Sequence, residues 1–512
     1  MNGGTLFVND GAITAGTLTI GNGGTLNASN SLVVNGNLAV SAGSMLIAGN
    51  NTGTNRPVVR GNLSNAGTID LRSPTGVVAA GDILTVEGDY ITLANNLRLD
   101  AVLGGDHLSD QVVVRGNLIG TGMVTISNAG GTGALTTGDG IRLVQVDGSS
   151  ANGSLALAGG TIDVGAFRYG LFAGGIANPG DQDWYLRSRA RDIVMPTISM
   201  ARVSQDLGLT ALGTLNERVG EQARIGGAGD ESGVFTGAWL RAFGKSGPET
   251  ITSVAFGDTR SDAQMGGLQM GVDVLRSVAS DGSRTVLGLT AGAMWAGTRD
   301  FAGVQRAARM GQSNSDGFVI GAYATHYAAS GFYVDAVLQH DWLDHTIGAA
   351  DGTRADTDSR TFIASLEMGH AFGSLWQIEP QAQLIYAATS FDGFTDTARV
   401  ANSVSVDDSV IGRAGLRLKR SFAGDETTGA GRVTIYGKGN LWHRLSGGGA
   451  AFSVGVSAPG AVFFRESWGD VGAGVSVGIG PRAEFFADGE VEFGLDQSGT
   501  AVAGRTGIRL RF

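Results

Sequence analysis

The chain of 512 residues lacks cysteine, and only 8 of its residues are proline. The first absence excludes disulfide bonds and cysteine-ligated metal sites. Charged residues make up only 16% of the chain and the formal net charge is −11, so nucleic-acid binding through a basic surface is not expected. No apolar run reaches the roughly 18 residues that a membrane-spanning helix requires, which excludes an ordinary helical membrane protein.

A signal peptide is also missing, because the first residues, MNGGTLFVNDG, contain neither a basic nor an apolar segment. We therefore expect a fragment or a truncated gene product. What the chain does contain is glycine, with 85 residues that follow no three-residue period, so it is not collagen. With 42% hydrophobic residues it is not generally disordered either, and a large β-rich protein is predicted.

Residues 1 to about 186 are nearly free of aromatic side chains, with only Phe7 and Tyr90 before Phe167. Short alternating segments that often begin with Gly-Thr-Leu, such as GTLFVNDG, GTLTIGNG and GTLNASN, are separated by Gly/Asn/Asp turns. Such near-equivalent repeats predict a right-handed parallel β-helix, with an irregular β-sandwich as the alternative. From Leu84 the segments lengthen and end in DWYLRS, which predicts a cap on this solenoid.

The next zone, from about Arg187 to Arg224, has helical periodicity. Pro196 suits a first helical turn, and Gly208 and Gly213 are predicted to interrupt the helix. Because its other faces are small or polar, we expect this helix to line or thread a polar tunnel. The apolar residues near helical spacing are Ile198, Val203, Leu207, Leu212, Leu215 and Val219.

The remainder, Gly233–Phe512, contains twelve alternating segments of about ten residues. Glycine-rich and polar loops of uneven length separate them. They start near Val234, Ala263, Arg284, Gly317, Gly331, Ser359, Leu375, Ser409, Arg432, Trp468, Pro481 and Thr500.

Alternation of this kind fits either a soluble sandwich or a transmembrane barrel with apolar side chains facing lipid. The even strand number, the strand length and the aromatic last residue, Phe512, favour the barrel. Aromatic residues near strand ends predict interfacial girdles. These are Trp295, Tyr333, Trp342, Trp442 and Trp468.

The polar faces of these strands predict a charged lumen. Acidic side chains of the eleventh strand and basic side chains of the twelfth are expected to form cross-strand ion pairs. One interpretation is a wet conduit that holds the helix by polar contacts. The other is that the charges only hydrate the lumen and fix the strand register. The predicted lumen-lining charges are Arg241, Arg413, Arg417, Lys419, Glu484, Asp488, Glu490, Glu492, Arg505, Arg509 and Arg511.

Motifs for catalysis are weak. The sequence Gly474-Val475-Ser476-Val477-Gly478 lies in an alternating strand, without the helix that a nucleophile elbow needs. His340 and His345 are expected on opposite faces of one strand end, which argues against a metal site. Gly244-Lys245-Ser246 lacks the upstream glycine of a phosphate-binding loop. We predict no enzyme activity, no cofactor and no catalytic, cofactor-binding or metal site.

Several motifs in order make the chain resemble a classical (type Va) autotransporter of the pertactin-like class. LGGDHLSDQVVVRGN and DWYLRS resemble its autochaperone junction, TLNERVGEQ the end of its linker helix, and GVFTGAWLRAFGKSGP and TGIRLRF its first and last barrel strands. The resemblance implies a β-helical passenger segment (1–83), an autochaperone cap (84–186), a linker helix through the barrel lumen (187–230) and a 12-stranded translocator barrel (231–512).

The resemblance also implies a function. A monomeric barrel in the Gram-negative outer membrane exports and anchors its own passenger, an adhesin or other interaction surface displayed on the cell. The expected partners are outer-membrane lipid, periplasmic chaperones, a host or surface ligand, and the barrel-assembly machinery, which reads the last strand through Ile508, Leu510 and Phe512. The alternatives are a porin-like pore with a helical plug and a soluble β-helix enzyme acting on polysaccharide.

Overall fold

The computed structural model describes residues 3–74, 79–105, 108–221, 231–253, 257–302, 308–424, 431–479 and 482–512. The chain divides into two compact units, Met1–Arg191 with Gly455–Ser457, and Asp192–Val454 with Ala458–Phe512. The end of the predicted linker, residues 222–230, and the predicted strand start at Pro481 lie outside the described residues.

The N-terminal unit is built from short strands. In its described part they are β1 (Thr5–Ile20), β2 (Thr25–Val40), β3 (Met45–Ile47), β4 (Val58–Val59), β5 (Leu63–Asn65), β6 (Thr68–Asp70), β7 (Ile83–Val86), β8 (Tyr90–Ala101), β9 (Gln111–Val114), β10 (Leu118–Asn128), β11 (Ile141–Val146), β12 (Leu155–Leu157), β13 (Ile162–Val164), β14 (Phe167–Ala173) and β15 (Trp184–Ala190).

Strands β1 to β12 pair in parallel. Thr5 lies opposite Thr25, Thr25 opposite Met45, and Met45 opposite Thr68, so the chain returns to the same position once per coil. Aliphatic side chains such as Ile20, Leu26 and Leu46 fill the interior. The predicted parallel architecture is confirmed, and an irregular sandwich is excluded because its strands would pair antiparallel. The handedness of the coil stays a prediction.

A ladder of side-chain hydrogen bonds joins successive coils at one turn. The Asn37 side-chain oxygen accepts from the amide of Asn62 at 2.9 Å, and the Asn62 oxygen accepts from the amide of Asp89 at 2.9 Å. Asp89 and Asn117 continue the ladder with the amides of Asn117 and Ser149. Each of these turn residues therefore holds the coil that follows it in sequence.

A glycine precedes each member of this ladder, and its lack of a side chain lets the coils approach. A Cβ atom at Gly88 would lie 2.9 Å from the carbonyl carbon and oxygen of Gly61, and closer still to the Asn62 side-chain oxygen. The main chains stack through the same turns, since the amide of Gly116 donates to the carbonyl of Gly88 at 3.1 Å. The turn therefore depends on glycine through close approach.

Antiparallel strands β13, β14 and β15 follow the last coil, with β15 paired to β11. Their buried side chains include Phe167, Tyr169, Trp184 and Tyr185, so aromatic residues enter the core where the coil ends. Parallel pairing continues beyond Leu84, through β12. The domain boundary proposed at that residue stays a prediction.

Buried aspartates accept main-chain hydrogen bonds inside this unit. One carboxylate oxygen of Asp110 accepts from the amides of Gly81 and Asp82, both at 2.9 Å, and the other accepts from the amide of Asp100 at 2.7 Å. Burial raises the pKa of Asp82, Asp100 and Asp110, and that of Asp110 reaches about 7. These carboxylates therefore make the unit sensitive to pH.

We expect the N-terminal unit to become less stable as pH rises through about 7. The folded state holds a proton on Asp110 that the unfolded chain releases near its ordinary pKa of about 4. The contribution of this proton to the free energy of unfolding is therefore complete below pH 4, and it is lost as the pH rises through the folded-state pKa of about 7. The change is on the order of 2–4 kcal/mol. Amide hydrogen-exchange protection factors of the full chain between pH 4 and 8 measure it.

Asp110→Asn should flatten that dependence, because the amide does not titrate. Asp89→Asn, at a half-buried ladder position, serves as the matched control and should leave the dependence as it is. Protection that increases from pH 4 to pH 8 in the natural chain would contradict the assignment.

The C-terminal unit contains two helices, α1 (Val194–Leu212) and α2 (Leu215–Val219), and a barrel. The twelve barrel strands are β16 (Gly233–Ser253), β17 (Gly257–Val278), β18 (Arg284–Ala302), β19 (Ala308–Tyr327), β20 (Phe332–Ala349), β21 (Arg354–His370), β22 (Gln377–Phe391), β25 (Ser409–Phe422), β26 (Val433–Ser446), β29 (Ser467–Gly478), β30 (Ala483–Gly494) and β31 (Thr500–Arg511).

The barrel is antiparallel and closed. Each strand pairs with the next, and β31 pairs with β16 from Gly237 opposite Arg511 to Ser246 opposite Val502. The predicted strand number is confirmed, but the predicted strand length is too short. For example, β19 begins at Ala308 and not at Gly317, because its outward side chains before Phe318 are polar and hide the alternation.

Outward side chains change character along a strand. On β21 the run Phe362, Ala364, Leu366 and Met368 is apolar, whereas Arg354, Asp356, Asp358 and Arg360 precede it on the same face. An outward apolar run between polar stretches is the pattern expected where a barrel strand faces lipid. The strand continues past this run with a polar outer surface.

The predicted aromatic girdle is wrong for three of its five members. Trp295 is 48% exposed on the outer surface, and Trp342 lies on the outward face of β20. Tyr333, Trp442 and Trp468 point into the lumen, where the two tryptophan rings stack 5.7 Å apart. The reason is strand parity, because Trp442 shares a face with the inward-pointing Lys438 and Asn440.

Four further strands lie at one rim of the barrel, in stretches that the sequence pattern predicts to be loops. They are β23 (Phe394–Thr395), β24 (Ala401–Val406), β27 (Gly449–Val454) and β28 (Ser457–Phe463). We call them the rim sheet. It joins the loop before β25 to the loop before β29 and pairs with the end of β16. Strand β27 also contacts α1.

Helix α1 contains Pro196 in its first turn and runs through Gly208 without a break, which corrects the predicted interruption there. It ends at Gly213, whose φ of 61° lies in the left-handed region that favours glycine. Helix α2 starts with a capping box between Thr214 and Glu217. Residues 187–190 belong to β15. Within the described chain, neither helix combines the length and the apolar content needed to cross a bilayer.

Candidate functional site

The candidate site is the barrel lumen with the linker inside it. We use linker for residues 192–221, which contain α1 and α2. Helix α1 contacts strands β16 to β22 and β27, so barrel strands surround it. All seven residues predicted for the linker helix are buried, namely Pro196, Ile198, Val203, Leu207, Leu212, Leu215 and Val219.

Part of the linker surface packs on an apolar wall. Val203, Leu207 and Ala211 lie in one cluster with Phe243, Met265, Met294, Val319 and Leu343 of strands β16 to β20. Leu212, Leu215 and Val219 lie in a second cluster that includes Trp239, Tyr323, Tyr333, Ile363, Ile385 and Ile411. Apolar burial therefore helps to hold the helix, in addition to the polar contacts that the sequence predicts.

Several aromatic rings in the lumen lie flat over glycines of the neighbouring strand. Trp239 covers Gly271 and Tyr323 covers Gly288, and a Cβ atom at either glycine would overlap the ring. Such flat placement leaves room for the linker beside the wall. A hydrogen bond also fixes the position of the Tyr323 ring, because its hydroxyl donates to Asp273 at 2.5 Å.

The Glu217 cluster consists of Glu217, Lys438, Asp488, Glu490 and Arg505. Glu217 of α2 forms ion pairs with Lys438 and, at 3.2 Å, with Arg505. Arg505 also pairs with Asp488 at 3.1 Å and Glu490 at 2.8 Å, as expected for neighbouring strands. The cluster links α2 to three strands of the wall.

Carboxylate oxygens of Glu217, Asp488 and Glu490 come close enough to suggest a cation site. Lys438 lies 2.6 Å from Glu490 and 3.2 Å from Asp488, and Arg505 bonds all three carboxylates. Two side-chain cations therefore provide the charge that a metal ion would supply. The arrangement is an ion-pair cluster.

Two further predicted cations hold the end of the linker. Arg417 and Lys419 of β25 both pair with Glu221, and Lys419 also pairs with Glu379 at 2.6 Å. Arg413 does not reach the linker among the described contacts and pairs with Glu367 of the wall at 3.3 Å. The predicted cations thus divide between the linker and the wall.

The other predicted charges have partners in the wall. Glu492 pairs with Lys245 at 2.9 Å and Arg465 at 2.7 Å. Arg509 lies opposite Glu484 in the strand register, yet it pairs with Asp273 at 3.0 Å. Glu484 lies 4.0 Å from the Arg511 guanidinium, and it also reaches the linker, because its carboxylate accepts from the amide of Glu221 at 3.0 Å.

An ion pair that sequence reasoning missed joins Arg218 of α2 to Asp335 of β20. The guanidinium donates to both carboxylate oxygens, at 2.8 and 2.9 Å, and the side chains are 2% and 3% exposed. Arg202 of α1 likewise pairs with Glu249 of β16. Helical spacing predicted apolar contacts for the linker, and no local pattern indicates which distant strand supplies a charge.

Arg241 is fully buried, on the inward face of β16. It donates to the side-chain oxygen of Gln269 at 2.9 and 2.6 Å and to the carbonyl of Glu217 at 3.1 Å. Its neighbour Trp239 packs against the linker. This strand therefore contributes both polar and apolar contacts.

The last strand presents two faces. Leu510 is 39% and Phe512 60% exposed on the outside with Ile508, whereas Arg505 and Arg509 point inward. The amide of Phe512 donates to the carbonyl of Thr236 at 3.0 Å, so pairing extends to the end of the chain.

The weak catalytic motifs lie within barrel strands. Ser476 is buried in β29 and donates to Glu484. His345 is buried between Ser315 and Ser359 of the wall, and His340 lies on the outward face of β20, near Trp342. Neither arrangement has the geometry of its motif.

Residues 238–490 match the family description "Autotransporter beta-domain", and residues 58–171 match "Autochaperone Domain Type 1". The two matches do not overlap: the autochaperone match falls in the N-terminal unit and the beta-domain match covers most of the barrel.

The chain belongs to the classical autotransporters.

Relatives of this autotransporter include the Adhesin BmaC autotransporter of Brucella suis, 30% identical over 90% of this chain and 14% of that protein. The pertactin autotransporter of Bordetella bronchiseptica is 27% identical over 84% of this chain and 49% of that protein. The chain thus spans half or less of these relatives. The crystal structure of the transport unit of AIDA-I from Escherichia coli matches with a TM-score of 0.50 and 16% identity, and the match covers 62% of this chain and 99% of that one. This similarity concerns the fold alone.

Proposed function

We propose that the barrel carries its own N-terminal unit across the outer membrane and anchors it at the cell surface. The observation that carries this proposal is the linker, which belongs to the same polypeptide as the N-terminal unit and lies inside a closed barrel. A segment that comes to lie inside a closed barrel has either entered the lumen from one side or been enclosed while the barrel assembled. Both routes leave the passenger covalently attached to the barrel.

The proposed domains follow the boundaries given by the sequence: passenger segment 1–83, autochaperone cap 84–186, a linker-helix domain 187–230 that includes the linker of residues 192–221, and barrel 231–512. The match to an autochaperone within residues 58–171 supports the second of these. Folding of stacked coils outside the cell releases free energy as each coil docks, which favours outward movement without ATP. The proposal includes no catalytic step.

Outer-membrane lipid, periplasmic chaperones and the barrel-assembly machinery are the proposed partners. The outward apolar row of Ile508, Leu510 and Phe512 supports recognition of the last strand by that machinery, because these side chains remain accessible beside the β16 pairing. We propose an adhesive or other interaction surface for the passenger. The relative named as an adhesin supports this part.

Export is tested by expressing the full chain behind a signal peptide and treating intact cells with protease. We expect loss of the N-terminal unit from whole cells, together with a barrel whose gel mobility changes on boiling, since a closed barrel stays compact in cold SDS. Opened cells provide the control, because a periplasmic marker is then also digested.

An N-terminal unit that stays protected in intact cells, although the barrel is heat-modifiable, would contradict export. A large steady conductance of the purified protein would instead support the porin-like alternative. The ion pairs and apolar clusters around the linker lead us to expect a closed lumen.

A further inference from the structure

The wall of the lumen forms hydrogen bonds to the main chain of the linker, as well as to its side chains. Arg241 donates to the carbonyl oxygens of Ala211, Leu212 and Glu217. Gln383 donates to the carbonyl of Gly213 at 3.3 Å. In the other direction, the amide of Leu215 donates to Glu367 at 2.9 Å.

Four of these five main-chain groups are left without helical partners by the break between α1 and α2, and the fifth, the carbonyl of Glu217, is left at the end of α2. The last carbonyls of a helix and its first amides have no partners within the helix itself. Ala211, Leu212 and Gly213 lie at the end of α1, Leu215 begins α2, and Glu217 lies near its end. The wall therefore supplies hydrogen-bond partners for main-chain groups that the linker itself leaves unpaired at this break.

A second feature fixes the position of the linker one helical turn earlier. Gln339 of β20 donates to the carbonyl of Gly208 at 3.0 Å. A Cβ atom at Gly208 would meet the Asp341 carboxylate at 2.5 Å and the Ile363 side chain at 3.0 Å. If the linker moved by one turn, Ser204 or Leu212 would face this wall, and their side chains would not fit.

We propose that Arg241, Gln383 and Glu367 recognise the main-chain break at Gly213 and stop the linker at one axial register in the barrel. This inference rests on the proposed export function, and in it these three residues end the movement of the linker through the barrel. A regular helix keeps its main-chain groups paired except at its ends. An extended chain has free carbonyls and amides, but it spaces them about 3.3 Å apart per residue and not at the 1.5 Å rise of a helix end. The break offers all of them at one position.

The obvious competing explanation is tether length, because the linker is also joined to β16 by the residues between Glu221 and Glu231. An insertion of four residues in that stretch separates the two explanations. If the tether sets the register, the linker moves by about one turn for four helical residues and by up to about 13 Å for four extended ones. If the wall sets it, the register is unchanged until the wall contacts are removed.

The absence of natural cysteine makes the register measurable in the full chain. The Thr210 hydroxyl and the Met265 sulfur lie 3.6 Å apart, so a T210C/M265C pair reports the observed register. A T214C/M265C pair reports a linker displaced by one turn toward its N-terminal end. Crosslinking with a short thiol reagent is carried out on protein extracted from outer membranes and still heat-modifiable.

We expect the insertion alone to leave T210C/M265C as the main crosslink. Arg241→Met together with the insertion should reduce that crosslink to a minor product, and Arg241→Lys should give an intermediate yield because it keeps the charge but not the forked donors. Arg509→Met is the matched control: Arg509 is a buried lumen arginine whose described ion pair is with Asp273 of the wall.

The proposal is overturned if the insertion by itself abolishes the T210C/M265C crosslink, whether or not the T214C/M265C crosslink replaces it. It is equally overturned if Arg241→Met with the insertion keeps the natural pattern. Failure of export is scored separately, by protease treatment of intact cells. A chain that is exported normally but shifts with tether length would refute the register stop and leave the proposed function standing.

Discussion

Asp335→Ala is expected to release the linker from the barrel wall. The substitution leaves Arg218 charged in a lumen position where it is 2% exposed, with both of its hydrogen bonds to the carboxylate lost. Removing one partner of a buried ion pair costs roughly 3–5 kcal/mol, since the other charge stays buried without compensation. We expect α2 to leave its position while the barrel strands remain paired.

Trypsin provides the measurement, because Arg218 is a cleavage site that burial protects. The natural barrel should remain uncut there, and the Asp335→Ala barrel should be cut while it is still heat-modifiable. Asp344→Ala is the matched control, an exposed aspartate on the outer face of the same strand. Equal protection of Arg218 in both variants would refute the role of this ion pair.

The double variant Arg218→Met with Asp335→Ala separates lost attraction from buried charge. Because it removes both charges, it should recover much of the thermal midpoint of the heat-modifiable band that Asp335→Ala loses. A double variant as unstable as Asp335→Ala would place the defect in strand β20 itself.

Gly88→Ala is expected to disrupt the stacking of the N-terminal coils. The new Cβ atom would lie 2.9 Å from the main chain of Gly61, and a main-chain neighbour that is already bonded to the next coil cannot move aside locally. We expect a loss of roughly 3 kcal/mol or more in the stability of this unit. The effect should reach the amide of Asp89, which the Asn62 side chain holds.

Hydrogen exchange and limited proteolysis of the full chain test this expectation. Gly16→Ala is the control, because a Cβ atom at Gly16 meets no atom within 4 Å and its φ is ordinary. Protection of the coils around Gly88 should fall in the first variant and not in the second. If both variants behave alike, close approach at the ladder turn is not what stabilises the coil.

The face that each barrel side chain presents could be predicted from the sequence. Arg505 and Arg509 point inward, and Leu510 and Phe512 point outward, because strand side chains alternate with a period of two. The same rule shows why the aromatic girdle was partly wrong. Trp442 was placed by its nearness to a strand end, although its parity with Lys438 already put it in the lumen.

The linker shows where prediction from sequence weakens. Helical periodicity located Leu207, Leu212 and Leu215, and Gly213 ends the first helix as expected. Gly208 was predicted to break the helix because glycine has a low helix propensity. It stays helical since the wall contacts it closely, and no local pattern shows that approach.

The coil, the twelve strands, their two faces and the helix between the units can be predicted from the residue pattern, because hydrophobic period and turn residues are local properties. The pairing of the charges depends on how the strands and the linker come together in space. Arg509 turns from its strand neighbour Glu484 to Asp273, and Glu217 meets Lys438 and Arg505. Barrel closure and the enclosed linker bring these groups together across long stretches of chain, and sequence spacing carries no record of such distances.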